Sequence, residues 1–271
     1  MRPLEARPRP VTRAAPLPPS RASRVIAALA LREMSTTYGR SPGGWLWALI
    51  EPAAAIALLA FAFSLIFRDP PLGRDFALFY ATGFLPYMVF HDISAKVAGA
   101  LRFSRPLFSF GRVRLIDAII ARVLLNALTH TTIAVLVLGA LLVLSRSAGA
   151  PELKLVAVAY GLALALAVGV GTLNCYLFAA FPAWERLWGI AMRPLFIVSG
   201  VVFLLEDAPF QYQPILLANP LFHITGIMRE GIYPTYAPHY PSALFVLALS
   251  AALLVVGLLL LRVFSDEVLH K

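Results

Sequence analysis

Ionisable side chains inside apolar runs are the residues of this sequence best placed to guide or bind a charged molecule. Glu51 lies six residues past Trp45, Arg122 six past Ile116 and Arg193 seven past Arg186. At 1.5 Å of rise per residue, each sits roughly 9–10 Å into its run. An ionised group near mid-bilayer costs about 2.5–3.5 kcal/mol, so each needs a partner or a wet cavity. All three enter their runs from the same side, and Glu51 is therefore expected to pair with Arg193 or Arg122 at a common depth. Asn126 and His130 follow Arg122 at intervals of four and extend a polar line along one helix face. Two readings stay open. The line is either an interhelical salt bridge with hydrogen-bonding neighbours, or the lining of a path for an anionic substrate.

Pro52 and Pro194 each follow a charged residue within a run, where a proline frees a carbonyl one turn earlier and bends the helix. Trp45, Trp47, Trp184 and Trp188 all fall near one membrane interface, either as an aromatic belt or as platforms for sugar rings. Other chemistry is missing. No G-x-x-x-x-G-K-[ST] phosphate loop is present, so ATP hydrolysis is not expected in this chain. The five histidines are scattered, no carboxylate cluster has metal-site spacing, and no catalytic or metal-binding residue is assigned. The single cysteine, Cys175, cannot form an intrachain disulfide and reads as a small core residue.

These side chains must be held by membrane helices. Of the 271 residues, 60% are hydrophobic and 14% charged. The mean hydropathy of +0.79 excludes an ordinary soluble domain. Apolar runs of about 20 residues or more occur at about 45–67, 76–95, 116–144, 154–181, 187–205 and 241–264, which gives six expected spans. The net charge of +9 is concentrated in the N-terminal segment and between the second and third runs, where no acid occurs from Ser94 to Ile116. The positive-inside rule places both segments, and both termini, in the cytoplasm. Residues 1–19, rich in arginine and proline and without a cleavable signal, are expected to form a disordered cytoplasmic tail. Residues 20–40 are expected to form an amphipathic interface helix, and 41–271 the membrane domain.

The interface helix is expected to be capped by Ser20 or Ser23. It carries an apolar stripe of Ala27, Leu31, Met34 and Tyr38, with Arg24 and Arg32 on another face. Gly39 ends it, and Ser41-Pro42-Gly43-Gly44 turns the chain into the first run. The basic segment 95–114 combines Lys96, Arg102, Arg105, Arg112 and Arg114 with Phe103, Phe108 and Phe110. It reads either as a short helix offered to a cytoplasmic partner or as a lipid-facing segment. Between the last two runs, Asn219 is an expected N-cap with Pro220 at the first helical position and Gly231 as terminator. This gives a short outer helix with Leu221, Ile224 and Met228 on one face and Arg229 and Glu230 turned away.

Four long stretches in order carry a resemblance: LREMSTTYGRSPGGWLWALIEP (31–52), RPLFSFGRVRLIDAIIARVLL (105–125), FPAWERLWGIAMRPLFIVSGVVF (181–203) and NPLFHITGIMREG (219–231). The chain resembles the membrane subunits of ABC exporters for capsular polysaccharide, the KpsM type, from about Ala27 onward. The resemblance implies an all-α integral membrane fold of six transmembrane helices. To these it adds an N-terminal interface helix, a cytoplasmic coupling helix and short outer re-entrant or gate helices. It implies a homodimer in a bacterial inner membrane bound to two copies of a separate ATPase, which holds the ATP and magnesium. It further implies a periplasmic co-polymerase or adaptor leading to an outer-membrane pore, with a lipid-linked acidic polysaccharide as cargo and no nucleic acid partner.

On that resemblance, Arg24, Arg32, Lys96, Arg102, Phe103, Arg105 and Phe108 are the expected ATPase-coupling residues. Asn219, Pro220, Phe222 and Met228 belong to the outer gate. Arg122, Asn126, His130, Arg193 and the four tryptophans are channel candidates. Other cargoes (O-antigen, teichoic acid or a drug) and a lone membrane enzyme or assembly factor are the alternatives.

Overall fold

A computed structural model describes residues 19–38, 43–108, 113–145 and 150–264. The expected tail, apart from its last residue, lies outside the described residues, as does most of the turn at 39–44. The side chains of Trp45, Arg105 and Phe108 are likewise outside them.

Among the described residues the fold is entirely helical. α1 spans Pro19–Tyr38, α2 Gly44–Ser64, α3 Phe76–Ala98, α4 Ala100–Phe108 and α5 Leu115–Leu144. α6 spans Leu153–Ala180, α7 Pro182–Val198, α8 Gln213–Leu217, α9 Pro220–Ile232 and α10 Ala243–Val263. Local chemistry sets several of the starts. Gly43, at φ 73°, turns the chain into α2 in the left-handed region that a side chain disfavours. The Asp75 carboxylate accepts from the Ala77 amide at 2.9 Å to cap α3. At α5 the Asp117 carboxylate reaches back to the Arg114 amide at 3.2 Å, and at α10 the Ser242 hydroxyl accepts from Phe245.

Among the described residues, four helices are long and apolar enough to cross a membrane: α5, α6, α10 and the Leu46–Ser64 part of α2. α3 lies at the centre, packed against α2, α5, α6 and α9, while α6 also packs along α10 and α1 lies on α5. The α6–α10 seam is close because small residues line it. A β-carbon on Gly169 would lie 2.5 Å from the Ser250 carbonyl oxygen, and one on Gly257 2.6 Å from the Leu173 nitrogen.

The structure departs from expectation at four points. α1 begins at Pro19, which puts Ser20 in its first turn and Ser23 in its body rather than at a cap. The fifth apolar run does not form one helix over 187–205. Pro182 starts α7 early, and the chain leaves the helix at Ser199-Gly200, where Gly200 has φ 71°. The remainder, Val201 to Leu204, is non-helical and largely buried. Gly231 does not terminate α9, which continues to Ile232. Its missing side chain instead lets α9 approach the start of α6, with Leu155 Cβ 3.0 Å from a β-carbon built there. Finally, α9 is buried nearly all round, so Arg229 is not turned away but fully enclosed.

Candidate functional site

Two buried arginines mark the two ends of α3. Arg122 contacts Lys96 near its C-terminus, and Arg229 contacts Phe79 near its N-terminus. Seventeen residues separate Phe79 from Lys96, about 25 Å of helix, close to the thickness of a hydrocarbon core.

At the Lys96 end, Arg122 is 6% exposed and gathers contacts from three other helices. Its Nε lies 3.2 Å from Glu33 Oε2 of α1, and Nη1 donates to the Lys96 carbonyl oxygen of α3. Its guanidinium sits 4.3 Å from the ring centre of Phe103 on α4, and Arg32 of α1 lies over the same ring at 5.0 Å. Further along α5, Asn126 donates to the Arg122 carbonyl at 2.7 Å, and His130 Nε2 lies 3.4 Å from Asp92 Oδ2 of α3. The polar line Arg122–Asn126–His130 therefore faces α1 and α3 within one chain.

The partner of Arg122 is Glu33, not Glu51. α1 packs on α5 and brings Glu33 inward, while Glu51 is exposed on α2 and has no ion pair among the described residues. Arg193 is likewise exposed on α7 without a charge partner among the described residues. The structure thus separates the three charges that depth alone had grouped.

α2 and α7 carry the remaining channel candidates. Trp47 is 61% exposed, and Trp184 and Trp188 lie 6.2 Å apart on α7, with Trp184 donating to Asn174 at 2.9 Å. Of the whole of α7, Met192 is the residue buried within its helical span.

α4 leans on two supports. Phe103 meets the two arginines, and neighbouring Arg102 forms a bidentate bridge to Glu185 at the start of α7, at 3.1 and 2.6 Å. The carboxylate holds the Arg102 guanidinium above its usual range. Arg24 is exposed on α1, and Lys96 is half-buried at the end of α3.

At the opposite end, Asn219 caps α9, accepting from the Leu221 amide at 3.0 Å and donating to the Val198 carbonyl. Pro220 occupies the first turn, and Phe222 and Met228 are wholly buried. Arg229 donates from Nη1 to the Phe203 carbonyl and from Nη2 to the Val201 carbonyl, each at 3.1 Å. It also lies 4.3 Å above the Phe79 ring. Those carbonyls belong to the non-helical stretch after α7, which has no helical donors of its own. Arg229 supplies them, which lets irregular backbone stay buried.

Glu33, Asp92, Glu185 and Arg229 escaped the reading of the sequence. Glu185 lies within the stretch 181–203, and Arg229 sits in a helix whose apolar face was recognised. For Arg229 the spacing pointed outward.

Residues 24–233 match the family model described as ABC-2 type transporter. The chain is 29% identical over 244 residues to the polysialic acid transport protein KpsM of Escherichia coli, covering 90% of this chain and 95% of that protein. It is 30% identical to the capsule polysaccharide export inner-membrane protein BexB of Haemophilus influenzae, over 90% of this chain and 92% of the relative. Against the capsule polysaccharide export inner-membrane protein CtrC of Neisseria meningitidis serogroup B, identity is 25% over the same shares. A chain of apolar helices matched by this model over most of its length belongs to the ABC-2 type transporter family of membrane proteins.

Proposed function

We propose that this chain is the membrane subunit of an ATP-driven exporter that moves a lipid-linked acidic capsular polysaccharide across a bacterial inner membrane. In this reading it spans the membrane six times, with α3 and α7 joining the four strongly apolar helices and both termini in the cytoplasm. α1 lies along the inner leaflet, where Leu31 and Met34 are exposed to the headgroup layer. α4 is the coupling helix that docks on a separate ATPase. α9 is a re-entrant gate helix on the outer side.

One observation carries the reading beyond the family itself. Glu51 stands exposed at membrane depth on the face of α2 that also carries Trp47, and Arg193 stands exposed on α7, the helix that carries Trp184 and Trp188. Facing lipid, each charge would cost about 3 kcal/mol. Facing a water-filled path between two copies of the chain, they cost little, and the tryptophans become platforms for sugar rings. The functional unit is then a homodimer with two ATPase subunits. The polymer passes between the protomers toward a periplasmic adaptor and an outer-membrane pore. The names of the similar proteins from Escherichia coli, Haemophilus influenzae and Neisseria meningitidis support the polysaccharide cargo.

The test is purification from the native membrane followed by an ATPase assay. A nucleotide-binding subunit that arrives with the chain, and whose hydrolysis depends on it, is the expected result. A chain that purifies alone without hydrolysis contradicts the exporter and favours a lone enzyme or assembly factor. If the ATPase is present but surface polysaccharide survives deletion of the gene, another cargo is indicated, such as O-antigen, teichoic acid or a drug.

A further inference from the structure

Phe103 projects from the middle of α4, is 37% exposed and carries no polar atom, yet both Arg32 and Arg122 place their guanidinium carbons over its ring, at 5.0 and 4.3 Å. Two guanidiniums this close repel, and the single carboxylate between their helices, Glu33, is committed to Arg122. Among the described residues, one positive charge of the cluster is left without a counter-charge, and the enclosed Arg32 Nη1 has no hydrogen-bond acceptor. The negative face of the Phe103 ring is therefore what offsets Arg32 in its position. Arg122 is in turn fixed from three sides, by Glu33, by the Lys96 carbonyl and by the ring. Displacing α4 would withdraw the ring from both arginines at once, so α1 and α5 cannot keep their places independently of α4.

We propose that Phe103, held under Arg32 and Arg122 with Glu33 locking Arg122, is the joint that passes a shift of α4 to α1 and α5. Phe103 is then a positioning residue inside the membrane subunit and not the anchor by which the ATPase is held. The inference rests on the exporter reading above, in which α4 receives its push from the ATPase.

The experiment uses the full complex with its ATPase subunit, expressed in cells. Three quantities are read: ATPase retained on purification, its hydrolysis rate, and acidic glycan at the cell surface stained with a cationic dye. Phe103→Leu keeps apolar volume and removes the π face, whereas Phe103→Tyr keeps both. Phe103→Leu is expected to retain the ATPase and its hydrolysis while surface glycan falls by about fivefold, as loss of a cation–π contact of roughly 1 kcal/mol implies. Phe103→Tyr is expected to restore export. Should Phe103→Leu lower the amount of protein, Arg32→Gln carries the same test from the α1 side, with hydrolysis again outlasting export.

Normal export by Phe103→Leu overturns the joint. So does an equal loss in the Leu and Tyr variants, or a loss of glycan that simply follows loss of bound ATPase. In each of those cases the wild-type complex still hydrolyses ATP and exports, and the exporter reading stands. A wild-type chain without ATPase, or without ATP-dependent surface glycan, overturns that reading and the joint with it.

Discussion

Arg122 and Arg229 are the side chains on which the two ends of the bundle depend. Removing one partner of a buried ion pair leaves the other charge unpaired, typically at a cost of about 3–5 kcal/mol. Arg122→Ala should therefore lower thermal stability and the yield of folded protein before any effect on transport can be read. Arg122→Lys should recover part of it, because a lysine can meet Glu33 but not the Lys96 carbonyl and the Phe103 ring together. A scan of thermal unfolding in detergent checks both. Arg229→Ala orphans the Val201 and Phe203 carbonyls and should cost about 3 kcal/mol or more, again read as a fall in Tm. The sequence made the depth of Arg122 legible but not its partner. Glu33 sits in an amphipathic helix whose sorting into apolar and basic faces gave no sign that its acid turns inward. Arg229 was hidden because a charge beside Glu230 at a helix end ordinarily faces water. Only the unwound carbonyls after α7 give it a reason to be buried.

At the scale of the elements, uninterrupted apolar runs made α5, α6 and α10 readable, since a helix satisfies its own backbone in any apolar surrounding. α7 was misjudged because the apolar run continues through Ser199-Gly200 while the helix does not, and composition cannot distinguish a helix from irregular backbone that a neighbour satisfies. Gly83 marks how closely that backbone packs. A β-carbon there would lie 2.8 Å from Val201 Cα, so Gly83→Val should push the stretch off α3 and destabilise the protein by about 1–3 kcal/mol, measurable by the same unfolding scan. The link between α4 and α7 is weaker. Both side chains are substantially exposed, and Glu185→Gln is expected to change stability by less than about 1 kcal/mol. The same unfolding scan, run on that variant beside wild type, checks it.

For the whole molecule, the uneven distribution of charge and burial is the main clue to function. The described buried charges, Arg122, Glu33, Asp117 and Arg229, each find partners within one chain, whereas Glu51 and Arg193 are left on the exposed faces of α2 and α7. In the proposed dimer those faces line the path. Glu51→Gln should then leave folding and ATPase binding unchanged and alter export, whereas a purely structural Glu51 would show itself in stability. The most direct measurement is transport itself. Inverted inner-membrane vesicles carrying this chain and its ATPase would be supplied with ATP and lipid-linked acidic glycan, and polymer protected from added glycosidase would be quantified. The account predicts protected polymer that requires both ATP and this chain. Polymer that stays fully accessible with ATP present, in vesicles where the ATPase is bound and active, would contradict it.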